Sequence, residues 1–65
     1  MKNNIKLSIY DDERVVIENY KKLLDLQEEM IKVDIYIITG SFLKLRKMDS
    51  YMIEVIGSIK QIIIN

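Results

Sequence analysis

Hydrophobic and polar positions alternate along most of this chain. Ile5, Leu7 and Ile9 fall on one side of a short run, with Lys6 and Ser8 on the other. That is the period-two signature of a half-buried strand. Asp11-Asp12-Glu13-Arg14 then reads as a turn, because aspartate side chains bond readily to nearby backbone amides. Val15-Val16-Ile17 resumes a β-rich run toward Asn19-Tyr20. From Met30, residues Ile31, Val33, Ile35 and Ile37 alternate with Lys32, Asp34 and Tyr36, and the run stops at Thr39-Gly40-Ser41. Leu43 and Leu45 alternate with Lys44 and Arg46 up to a turn at Met48-Asp49-Ser50. Ile53, Val55, Gly57 and Ile59 share a face opposite Glu54 and Ser58. Between Ile59 and Ile62 the phase slips by one residue, which predicts a turn or bulge at Lys60-Gln61. Gly57, inside a strand pattern, predicts a bend or a close backbone approach.

One stretch supports two readings. Over residues 12–30, Asp11 or Asp12 could cap a helix, and Glu18 and Lys22 stand four apart. Val16, Tyr20, Leu23 and Met30 keep roughly helical spacing as well. Against this, Val15-Val16-Ile17 is a poor helix opening, and Leu24, Asp25, Leu26 and Gln27 alternate. The pattern therefore predicts an all-β fold of six or seven short strands. Strands so close in sequence pair antiparallel, giving a small meander curled into a roll or small barrel. The alternative is α+β with a helix near residues 12–30.

Composition supports strands. Of 65 residues, 13 are Ile, and Ala and Pro are absent, a bias toward branched side chains that pack well on a pleated surface. The length predicts a single domain over residues 1–65, small enough to bury only about 60% of its unfolded surface. Such a domain usually needs a staple. With no Cys and no His, disulfides and the usual zinc or transition-metal sites are excluded, which leaves self-association or a dense core. Met1-Lys2-Asn3-Asn4 leads into the first run without the apolar stretch of a signal peptide. No apolar run approaches the roughly 20 residues of a membrane span, so a cytoplasmic location is expected.

Catalytic chemistry is hard to write with these residues. The commonest general acid–base residue and one of the common nucleophiles are missing. Gly occurs only at Gly40 and Gly57, too few for a phosphate-cradling loop or dinucleotide fingerprint. Asp11-Asp12-Glu13 lacks the alternating ligands and central Gly of a calcium loop, and with Glu28-Glu29 it reads as a solvated turn. No enzyme activity and no cofactor are expected. Lys44, Arg46 and Lys47 form a local basic patch, with Tyr36 and Tyr51 as potential neighbours. On a small barrel such a patch can bind single-stranded nucleic acid. The formal net charge of zero argues against a strongly electrostatic partner, and an outward strand face is where charges ordinarily sit.

Apolar surplus is the more telling feature. Val16, Tyr36, Ile38, Phe42, Met52, Ile56 and Ile64 fall opposite the main apolar stripes. A single layer cannot bury both faces, so the sheet closes on itself or a partner covers it. These seven residues are the expected interaction surface, with protein partners and a homodimer expected ahead of nucleic acid.

From Val15 to Ile64 the chain resembles the YabP/YqfC family of small sporulation proteins of endospore-forming Firmicutes. The resemblance rests on Ile17-Glu18-Asn19-Tyr20 with Leu23-Leu24, on Met30-Ile31-Lys32-Val33, and on Ile37-Ile38-Thr39-Gly40 with Leu43, Leu45 and Met48. It closes with Ile53-Glu54-Val55-Ile56-Gly57-Ser58-Ile59 and Ile62. The asparagine–tyrosine opening and the final isoleucine–glycine–isoleucine pattern look more like the YqfC branch. The resemblance implies an all-β fold, a homodimer, production in the mother cell and a structural or assembly role in spore envelope or coat formation. It carries no active site. An accessory-subunit role outside sporulation is a further alternative. In one respect the chain departs from the pattern. The family has a Gly-containing turn between the strands that correspond to Met30–Val33 and Ile35–Thr39, whereas here only Asp34 separates them. Residues 30–39 are therefore either one long strand or a rebuilt hairpin.

Overall fold

In a computed structural model that describes residues 4–65, six strands form one open antiparallel sheet. They are β1 (Lys6–Asp11), β2 (Arg14–Glu18), β3 (Leu23–Leu26), β4 (Met30–Val33), β5 (Tyr36–Met48) and β6 (Met52–Ile64). The opening Met1-Lys2-Asn3, read above as a lead without an apolar stretch, lies outside the described residues. None of the described residues is helical. The alternative helix over residues 12–30 is thus replaced by β2, β3 and the start of β4, where branched and alternating side chains favour the pleat.

The sheet order is β1-β2-β6-β5-β4-β3. Strands β3 to β6 run as a meander, while the hairpin β1–β2 lays β2 along the far side of β6. The meander expectation therefore holds for four strands rather than for the whole chain. Each half of the sheet is a short hairpin laid against one long strand, and the order reads alike from either edge. The segment between β2 and β3 crosses between the halves and is tied down at both ends. The Asn19 amide donates to the Tyr51 carbonyl at 2.8 Å. Further on, the Asp34 carboxylate accepts from the Lys21 and Lys22 amides at 2.7 and 2.9 Å.

Asp34 also settles residues 30–39. It adopts φ 51°, and Val33 pairs directly with Tyr36. A two-residue hairpin loop of this kind needs a left-handed residue, a role Asp tolerates better than most. Residues 30–39 are therefore a hairpin and not one long strand, with Asp34 at the left-handed turn position. Ile35 occupies the turn and is exposed, so the side chains after it re-enter the sheet in the opposite phase.

Long strands β5 and β6 form a ribbon that bends at mid-length. The second half of β5 pairs with the first half of β6, which also carries β2; the first half of β5 carries β4. Between these halves the register shifts at Thr39/Gly40 and at Ser41/Lys44. Lys60 is skipped at the first shift, within the segment where the hydrophobic phase slips. At the second, Phe42 takes φ 56° and Gly57 φ 134°. A Cβ on Gly57 would stand 2.6 Å from the Phe42 carbonyl oxygen, and one on Gly40 only 1.9 Å from the Ser58 carbonyl oxygen. Both glycines are there because the two backbones touch. A bulge removes ladder partners, and their amides need others. The hairpin turns supply them. Gly57 and Ile59 amides donate to the Glu13 and Asp12 carbonyls at 3.2 and 2.9 Å, and Gly40 and Leu43 amides to those of Glu29 and Glu28 at 3.1 and 2.7 Å.

The bend gives the molecule its core. Val15, Ile17, Ile53 and Val55 from one half join Ile31, Val33 and Ile38 from the other, with Leu43 from the bend, in one buried cluster. Each such side chain contributes about 1.5–3 kcal/mol relative to exposure. At the far end of the ribbon, Asp49 closes the β5–β6 turn. Its Oδ1 accepts from the Tyr51 and Met52 amides, both at 2.8 Å. Those bonds, chiefly the one from Met52, hold its carboxyl below the ordinary value of 3.8.

Two outcomes are expected. Gly57→Ala, which meets backbone at an unfavourable φ, should lower the unfolding free energy in urea by at least about 2 kcal/mol, and Gly40→Ala should do the same. Because the Asp49 pKa is depressed on folding, its contribution is full above the ordinary carboxylate range and is lost as pH falls through the lowered value. Asp49→Asn should therefore flatten the acid limb of a plot of urea midpoint against pH.

Candidate functional site

The seven residues expected to form one interaction surface do not share a face. Tyr36, Ile38 and Ile64 lie on the inner side, because the Asp34–Ile35 turn inverts the phase that makes Ile31, Val33, Ile35 and Ile37 look like one stripe. Ile38 is fully buried in the core and Tyr36 packs against it. Ile64, register partner of Tyr36, is 68% exposed near the chain end. Val16, Met52 and Ile56 do lie on the outer face. Val16 keeps only 7% of its surface, while Met52 and Ile56 are half-buried. Phe42, on the bend, is 79% exposed.

The outer face around Val16 is built on a polar cluster. Glu54 pairs across the ladder with Val16, and its side chain retains only 8% exposure. Arg14 Nη1 donates to Glu54 Oε2 at 3.2 Å and Arg46 Nη1 to the same oxygen at 3.4 Å. The Arg14 guanidinium also lies 4.2 Å above the Tyr10 ring, a cation–π contact that holds its planar head in place. On the flank, the Tyr51 hydroxyl donates to Glu18 Oε2 at 3.2 Å, and the carboxylate beside it raises the phenol above its ordinary 10.0. Two guanidiniums against one carboxylate leave a cationic excess.

Lys44, Arg46 and Lys47, the basic patch expected from sequence, are all exposed on β5. Lys44 and Lys47 pair across the ladder with Ile56 and Glu54, which puts them on the outer face. Arg46 sits at a register shift between Leu45 and Lys47. Arg46 keeps the outward phase of Lys44, and the extra residue brings Lys47, nominally inward, to the outer face beside Glu54 as well. Arg14 and Tyr10 join the patch from the N-terminal hairpin. No spacing in the sequence announces them; only the β2–β6 pairing brings them there.

Beside this cluster an open hollow of about 460 Å³ is lined by Asp11, Glu13, Arg14, Ile56, Gly57 and Ser58. The Asp11 carboxylate is committed to the turn, accepting from the Glu13 amide at 2.7 Å. A second concavity across the ribbon is lined by Glu28, Phe42, Leu43 and Lys44. Ile9, Tyr10, Leu24, Leu26 and Met48 add exposed apolar surface along the edges. No helix among the described residues is long and apolar enough to cross a membrane. The chain matches no family model, no curated protein and no solved structure.

Replacing the shared carboxylate tests the cluster. Glu54→Gln leaves two guanidiniums without their counter-charge and should cost about 1–2 kcal/mol in urea unfolding. Most of that loss should vanish when Arg14→Met is added, in a double-mutant cycle.

Proposed function

We propose that this chain is a non-catalytic assembly protein that acts by contact with other protein surfaces, in a structural role in spore envelope or coat formation in the mother cell. The observation that carries the contact reading is the amount of large apolar surface left outside the core, with Phe42 foremost at 79% exposed. Side chains of this kind are the usual anchors of protein interfaces. The polar groups support the same reading. Glu54 is taken up by Arg14 and Arg46, and Asp11, Asp34 and Asp49 are occupied by backbone amides. The sporulation setting rests on the resemblance to the YabP/YqfC family.

A nucleic-acid face is the second reading, favoured by the arrival of Arg14 beside Lys44, Arg46 and Lys47. It is the weaker one. Glu54 and Glu18 stand within that face and oppose phosphate, and the formal net charge is zero. The assembly role is tested by deleting the gene and counting heat-resistant spores. A loss of heat resistance or a misassembled envelope is expected, and normal spores would count against the role.

A further inference from the structure

Beyond Leu43, one side of β5 has no neighbouring strand among the described residues. Residues 36–39 pair with β4 as well as β6, whereas residues 44–48 pair only with β6. The Leu43 amide points away from β6, donating to the Glu28 carbonyl, and the Asp49 amide points toward β6, donating to that of Met52. Successive residues of a strand alternate in this direction. The amides and carbonyls of Leu45 and Met48 therefore face away from β6, where no described strand takes them up. Side chains along the same edge fall in two rows. Lys44, Arg46 and Lys47 stand on the outer face, while Leu45 and Met48, register partners of the core residues Val55 and Ile53, stand on the inner one. Met48 is 51% exposed. Lys44 and Lys47 form no ion pair among the described residues. Where the edge begins, Glu28, Phe42, Leu43 and Lys44 line an open concavity of about 400 Å³.

We propose that this edge binds an extended, acidic segment of another protein, which adds to β5 as a further strand. Each part of the edge specifies one property of that segment. Unpaired amides and carbonyls are completed by the main chain of a strand. The cationic row calls for Asp or Glu on the outer face, because opposite charges side by side on neighbouring strands attract. Leu45 and Met48 call for aliphatic side chains at the positions between, and the concavity beside Phe42 takes an apolar residue where the segment enters. Two other occupants fit less well. A second copy adding through the same edge would set the row of cations against itself, and like charges together with a bulge are what keep such edges apart. A polynucleotide answers the cations but leaves the edge amides and carbonyls without partners. The inference rests on the contact reading above and names the partner's chemistry and the strand it joins.

Fluorescence anisotropy tests it, titrating the full chain into a labelled peptide of about nine residues that alternates Glu and Val. A peptide alternating Lys and Val, a Glu–Val peptide with a central Pro and a single-stranded oligonucleotide serve as comparisons. The Glu–Val peptide should bind best and lose affinity as salt is added. Lys47→Glu should weaken it at least about tenfold. Met48→Pro should weaken it comparably, because it deletes an edge amide without touching a charge, and Pro is tolerated where a strand amide faces solvent. Circular dichroism checks that each variant folds. In amide exchange followed by NMR, Leu45 and Met48 should become protected when the peptide is bound. Absence of binding at low salt overturns the proposal, as does equal binding of the Pro-bearing peptide or unchanged exchange at Leu45 and Met48. Tighter binding of the oligonucleotide overturns it too, and so does a free protein that is a dimer with these amides already protected. Spore defects in the deletion strain without any peptide binding would overturn it yet leave the assembly role standing on another surface, so the two readings fail separately.

Discussion

The close passage of two backbones at Gly40 and Gly57 is the constraint on which the rest of the molecule depends. Two strands of 13 residues each would, if straight, make a flat ribbon with two wet faces and no core. Side chains are excluded at both crossing points, where an added Cβ would stand 1.9 or 2.6 Å from a carbonyl oxygen. Register shifts then turn the ribbon, and the two inner faces share one cluster. The lost ladder bonds at the bend are made good by carbonyls of Asp12, Glu13, Glu28 and Glu29. Each hairpin therefore both covers the core and completes the backbone of the strand it leans on.

Acidic residues explain how a chain with zero formal charge keeps a basic face. Many carboxylates are spent on local geometry. Asp11, Asp25, Asp34 and Asp49 each accept from backbone amides in or beside a turn. Glu54 is sunk beneath two arginines. Lysines have no such local use and remain where the outer strand faces put them. At the bend the charges are mixed, with Lys44 and Glu28 beside Phe42 and Asp11, Glu13 and Arg14 around the hollow.

Strand class and most turns were legible because period-two alternation survives wherever one face is buried. The slip before Ile62 pointed to the bulge at Lys60, and Gly57 to the close approach. What misled was conformation that leaves no mark on polarity. Asp34 at φ 51° turns what looks like one continuous stripe into two strands of opposite phase, which sends Ile38 into the core and Ile35 into water. Phe42 falls among the surplus apolar positions, yet nothing in its sequence neighbours signals a left-handed bulge. The association of Arg14 with Glu54 is a matter of long-range register, which polarity patterns do not encode.

Chain order within the sheet has a kinetic side as well. Strands β3 to β6 each pair with a sequence neighbour across a short turn, so this part can zip up with little loop-closure entropy lost at any step. By contrast β2 must find β6, with Glu18 meeting Met52 across the whole of β3, β4 and β5. Non-local pairings of this sort are the slow ones. The β2–β6 pairing thus closes the longest loop in the sheet, and without it one side of β6 is an unprotected edge carrying Ile53 and Val55. In a ribosome-bound chain the hairpin emerges before β6, the edge on which it docks, has been synthesised.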